Sequence, residues 1–152
     1  MGNIFLIREG AQDVSDKLTQ ESEHSLGLTV LDLRRELQTQ SDMPNIKYGT
    51  SKPAVQTAMN LWRPLGYGEL PQGLNWLSES IYKGHPRNGM LAGIYEAARG
   101  SKTPTIFVFN EGDARFVVDY YERREGGKVV FEIKPGSGLH IKGKGYNILP
   151  NL

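Results

Sequence analysis

Two short loops hold the residues best suited to chemistry. Arg8-Glu9-Gly10 follows an apolar run at 3–7, and Asn110-Glu111-Gly112 follows another at 105–109. Each sets one carboxylate beside a glycine, directly after a stretch that reads as a buried strand. In an open α/β sheet such loops lie beyond the carboxyl ends of the strands, where ligands bind. Two close carboxylates share protons, because ionising the first disfavours ionising the second; one becomes an acid and the other stays a base. A Glu9–Glu111 pair of that kind suits proton transfer or glycoside-like chemistry. With Asp13 it could hold a hard cation such as Mg²⁺ or Ca²⁺, or it could hold a basic ligand. The expected site is therefore Glu9 and Glu111, with Arg8, Gly10, Asp13, Asn110 and Gly112 around the ligand. No motif implies a cofactor or a resident metal.

Each of these residues also has an ordinary role open to it. Glu111 and Asp113 stand where a helix would begin; acids there complement its dipole, and Asp113 can cap it. Arg8 could simply neutralise Glu111 inside a closed pocket. His85, in the loop Lys83-Gly84-His85-Pro86-Arg87, reads as a surface residue, and His140, on an expected strand, as structural. His24 lies near Ser22 and Ser25, but no nucleophile elbow surrounds either serine. Trp62, Trp76, Tyr120 and Tyr121 read as core or rim aromatics.

The elements that must position the loops follow from periodicity. The run 3–7 is a strand, and 11–25, polar and rich in acids without a period, is a loop. Leu26, Val30, Leu33 and Leu37 recur at helical spacing. A short strand at 45–48 follows Pro44. A second helix starts at Ser51 with Pro53 in its first turn, carries Val55, Ala58, Met59 and Trp62 as its apolar stripe, and ends at Pro64. Residues 66–88, rich in Gly and Pro, form an irregular excursion with one short strand or turn. Leu91, Ile94, Tyr95 and Ala98 mark a third helix closed by Gly100, and 105–109 is a central strand. A helix with the face Phe116, Val117, Tyr120 and Tyr121 comes next, then strands at 128–133 and 138–141 on either side of a Pro135-Gly136 turn. This alternation predicts an α/β fold, a three-layer sandwich with a mostly parallel central sheet, as one domain over 1–152.

A chain of 152 residues can bury one core without staples. It has no cysteine, which removes disulfides, thiol catalysis and cysteine zinc sites. The apolar start meets a charge at Arg8, which predicts neither a signal peptide nor a membrane span and hence a cytoplasmic protein. The net charge of +1 hides an asymmetry: 1–50 carries five basic and eight acidic groups (5 − 8 = −3), 51–122 seven of each, and 123–152 six basic and two acidic (6 − 2 = +4). The basic C-terminal stretch lacks interleaved aromatics and any RNA-binding motif, so it reads as a solvated surface. The expected partner is a small ligand or a protein, not a membrane or a nucleic acid.

Four stretches carry a resemblance. Ile4-Phe5-Leu6-Ile7-Arg8-Glu9-Gly10-Ala11 is a strand running into an Arg-x-Gly loop, and Ala54-Val55-Gln56-Thr57-Ala58 opens a helix. The strand at 105–109 ends in Asn110-Glu111-Gly112, and Lys134-Pro135-Gly136-Ser137-Gly138 makes a turn before a late strand. In this order they resemble the histidine phosphatase (phosphoglycerate mutase-like) superfamily, in its short phosphohistidine-phosphatase branch. The resemblance spans essentially the whole chain and implies a phosphoglycerate mutase-like fold. It puts Glu9 where the family has its phosphoryl-accepting histidine and Glu111 where it has the second histidine. It matches Arg8 to one arginine of the phosphate pocket, puts Pro53 in place of the other, and puts Gly49 where a small polar residue opens that loop. The family's acidic proton donor has no counterpart beyond Glu79.

Those replacements reverse the local charge. Phosphoryl transfer relies on positive charge placed around the equatorial oxygens. At 4–5 Å and an effective dielectric near 20, each carboxylate repels a phosphate charge by roughly 3–4 kcal/mol. The expectation is a catalytically disabled member acting as a binding or regulatory module. The alternative is an enzyme of altered, non-phosphoryl chemistry built on the Glu9/Glu111 pair.

Overall fold

The computed structural model describes residues 4–37, 43–66, 68–74, 77, 94, 103–110, 133–142 and 145–150. In chain order they form β1 (Ile4–Arg8), α1 (Gln20–Leu37), β2 (Asn45–Tyr48), α2 (Lys52–Trp62), β3 (Gln72–Gly73), β4 (Thr105–Phe109), β5 (Gly138–Lys142) and β6 (Gly145–Leu149). The strands make one sheet in the order β3-β2-β4-β1-β5-β6. β3, β2, β4 and β1 pair in parallel, while β5 runs antiparallel to β1 and β6 antiparallel to β5. The α/β class holds, but the sheet is mixed rather than mostly parallel. β6 runs antiparallel to β5 because only two residues separate the two strands, a link too short for a parallel crossover.

Alternation along the strands divides the core. Ile4 and Leu6 of β1, Phe107 and Phe109 of β4, and Leu139 and Ile141 of β5 pack on one face with Leu77, Ile94 and Ile133. Phe5, Ile7, Ile106 and Val108 pack on the other, against Leu26, Val30 and Leu33 of α1 and Ala54, Ala58 and Leu61 of α2. His140 faces this second layer, fully buried; its ring stacks on Phe5 at 4.3 Å and 18°, with Nδ1 3.8 Å from Glu36 Oε2.

Both helices differ in detail from their periodicity. α1 begins at Gln20, six residues before Leu26, because Thr19 caps it: Ser22 N–H donates to Thr19 Oγ1 at 3.1 Å. Glu21 and Glu23, which read as loop acids, are first-turn acids that complement the dipole, and Arg34 and Arg35 close the last turn. In α2 the buried stripe is Ala54, Thr57, Ala58 and Leu61, with Val55, Met59 and Trp62 only half-buried. The bulky residues flank a narrow seam where small ones let the helix approach the sheet. β6 was not anticipated, since Tyr146-Asn147-Ile148-Leu149 has no apolar alternation. The third helix beyond Ile94, the helix over 116–121, the strand at 128–132, and Trp76, Glu79, His85, Glu111, Gly112, Asp113, Tyr120 and Tyr121 lie outside the described residues. Among the described helices none is long and apolar enough to cross a membrane.

Candidate functional site

Register brings three loop starts together. β1 and β4 pair from Ile4↔Thr105 to Arg8↔Phe109, and β2 and β4 end at Tyr48↔Val108. Glu9 N–H donates to Phe109 O at 2.9 Å, and Gly49 N–H to Val108 O at 3.0 Å. The carboxyl ends of three parallel neighbours therefore deliver Glu9, Gly49 and Asn110 to one place.

Glu9 is buried, 7% exposed, and turns toward the helical layer. Ser51, the N-cap of α2, donates its hydroxyl to Glu9 Oε2 at 2.6 Å. Ser51 Oγ also lies 3.1 Å from Asn110 Oδ1, a residue 4% exposed, and accepts Ala54 N–H at 3.3 Å. The hydroxyl has one proton to give, and the Glu9 carboxyl is the nearer of its two acceptors. An acidic side chain thus sits at the electropositive start of a helix, where its charged form is favoured.

The rest of the Arg8-Glu9-Gly10 loop is tied to α2 by the Gln56-Thr57 pair. Gly10 N–H donates to Thr57 Oγ1 at 2.9 Å, and Thr57 donates to Pro53 O at 2.7 Å. A side chain on Gly10 would meet Leu18 Cδ2 at 2.9 Å and Ser22 Cβ at 3.2 Å, so a larger residue there would have to push Leu18 aside. Gln56 accepts from Gln12 Nε2 at 2.9 Å and donates to Asp16 O at 2.7 Å. Lys52 and Asp16 add an exposed ion pair at 3.4 Å.

Not all the expected residues converge. Arg8 leaves β1 toward the other face, where Nη1 donates to Ile133 O at 2.6 Å, while its backbone is held by Ser137 and Gly136. Asp13 is exposed and closes its own turn, accepting Ser15 N–H at 2.7 Å and Lys17 N–H at 3.2 Å. Among the described residues no cluster of His, Cys, Asp and Glu could hold a metal ion. Asn110 and Glu9 both lie within reach of Ser51 Oγ, and Gly10 follows Glu9 in the loop. Ser51 and Thr57 also bond to this loop, and neither is marked by the sequence beyond Ser51 as a helix start. The available signal was that 49–51 is a third strand-to-helix loop of the same kind as the other two. A separate cavity of about 340 Å³ opens beyond the loop, lined by Ala11, Thr19, Glu21, Ser22, Ser25, Lys134 and Pro135.

The sequence matches no family model and no curated protein. Solved structures do match. The protein histidine phosphatase SixA complexed with tungstate superposes with a TM-score of 0.67 at 11% identity, over 96% of this chain and 93% of that one. Phosphoglycerate mutase from Bacillus anthracis str. Sterne gives 0.63 at 10% identity, over 97% and 91%. The mycobacterial glucosyl-3-phosphoglycerate phosphatase complexed with VO3 gives 0.58 at 11%, over 98% of each chain. Identities this low show a shared fold and leave the chemistry of the site to its own residues.

Proposed function

We propose that this protein keeps the histidine phosphatase fold without phosphohistidine chemistry and acts as a binding or regulatory module. One observation carries the reading. At the carboxyl end of β1, where the resemblance puts the nucleophilic histidine, stands a buried carboxylate already hydrogen-bonded by Ser51. A carboxylate there cannot form a phosphohistidine, and it repels an incoming phosphate. Pro53, at the position matched to a second phosphate-binding arginine, brings no charge and no N–H. Two of the similar structures hold tungstate and VO3; a Glu9 carboxylate works against such an oxyanion here. Glu111, at the position of the second histidine, would add a like charge.

The test is direct. Incubation with p-nitrophenyl phosphate or a phosphohistidine protein should give background hydrolysis and no acid-labile phosphoenzyme. Phosphate and tungstate should leave the melting temperature unchanged in a panel that also includes sugars, amines and divalent metals. Turnover by the wild type that Glu9→Gln abolishes would refute the reading and make Glu9 a phosphoryl acceptor.

A further inference from the structure

The residue that turns this site away from phosphoryl transfer also faces a hydroxyl. β2 ends at Tyr48, the chain turns through Gly49-Thr50, and Ser51 caps α2, giving Gly49-Thr50-Ser51-Lys52-Pro53 between strand and helix. The passage is tight: a Cβ on Gly49 would collide with the Leu77 carbonyl and approach Asn110 Oδ1 to 3.0 Å. It presents a serine at the carboxyl end of a parallel strand and the head of a helix, where α/β sheets place ligands and nucleophiles.

The surroundings fit that role. Ser51 Oγ lies 2.6 Å from Glu9 Oε2, so a base stands within hydrogen-bond reach of the proton to be removed. The backbone that carries Glu9 is held to β4 by its N–H to Phe109 O. In the first turn of α2, Pro53 has no N–H, Ala54 N–H is taken by Ser51 Oγ, and Val55 N–H by Ser51 O. That leaves the N–H of Lys52, the residue after the serine, as the first-turn donor open to a developing oxyanion.

We infer that Ser51 is a nucleophile toward activated acyl groups, with Glu9 as its general base. Ser51 Oγ bonds to the acyl carbon as its proton passes to Glu9 Oε2, and the carbonyl π pair moves onto the oxygen, which faces Lys52 N–H. When the carbonyl re-forms, the bond to the leaving group breaks, and the Glu9 proton goes to that group. Water then attacks the Ser51 ester, giving its proton to Glu9; the tetrahedral adduct expels Ser51 Oγ, which takes the proton back, and the free acid departs. The substrate class is an ester or another acyl group with a good leaving group. This inference goes beyond the binding reading and rests on the Ser51–Glu9 contact alone.

A fluorophosphonate probe, followed by intact mass and peptide mapping, tests it. The wild type should gain one adduct, on Ser51, and should hydrolyse p-nitrophenyl acetate. Ser51→Asn, which preserves the helix cap, should gain none, and Glu9→Gln should label about a hundredfold more slowly or worse. Melting curves establish that each variant is folded, and the wild type and Ser51→Asn decide the assignment if Glu9→Gln does not fold. No adduct on the folded wild type, an adduct on another residue, or undiminished labelling of folded Glu9→Gln would overturn the proposal.

Discussion

Glu9 and His140 are two buried ionisable residues that face the same helical layer, and they meet opposite ends of helices. Glu9 meets the N-cap of α2, and His140 meets Glu36 in the last turn of α1. Each is placed where the helix dipole favours the sign of charge it can carry. What separates them is position along the strand. Glu9 lies just past the end of β1, among groups that belong to loops and a helix cap. His140 lies in mid-strand, with its ring against Phe5 and sheet on both sides. At a strand end a buried polar group meets loops and helix caps; in mid-strand it is enclosed by core.

The comparison can be broken from the core side first. Phe5→Ala removes the ring under His140 and opens a cavity between the sheet and the helices. It should cost about 3–5 kcal/mol in urea or thermal melts, the usual loss for a deleted core aromatic. A cost below about 1 kcal/mol would mean that the stack is not part of the core.

On the site side, Ser51→Ala takes the cap from α2 and the donor from a buried carboxylate together. The expected loss is about 1–3 kcal/mol, measured against Ser51→Asn, which keeps a cap. Equal stability of the two variants would show that Glu9 depends little on Ser51. The smallest effect belongs to Lys52→Ala. Its pair with Asp16 is exposed on both sides, so the loss should stay under about 1 kcal/mol and shrink further in salt. A larger, salt-sensitive loss would make surface charge, rather than the buried hydrogen bond, what sets the environment of Glu9.

Much of this was legible in the residues. The runs at 4–7 and 105–109 are apolar without alternation, as strands covered on both faces must be, and they sit side by side at the centre of the sheet. The convergence of Glu9 with Asn110 followed from putting two strand-end loops next to each other. The start of α1 was hidden because a first turn is solvated and acidic, so it carries no apolar period to read. The direction of β5 was hidden because an apolar strand reads alike in either sense, and pairing alone decides. The part played by Ser51 was hidden because a cap residue is chosen for its own helix, and a bond to position 9 leaves no trace in local sequence.

The central place of β1 also bears on how the chain reaches this state. Ile4 pairs with Thr105 on one side and with Ile141 on the other, separations of 101 (105 − 4) and 137 (141 − 4) residues. Partners so distant raise the contact order and slow folding, since a long loop must close before either ladder repays it. On a ribosome, Ile4-Phe5-Leu6-Ile7 leaves the tunnel long before its neighbours exist. Its apolar side chains and open backbone groups wait through most of synthesis, a matter of several seconds at about 5–20 residues per second. In that interval β1 is an apolar strand with both of its edges open.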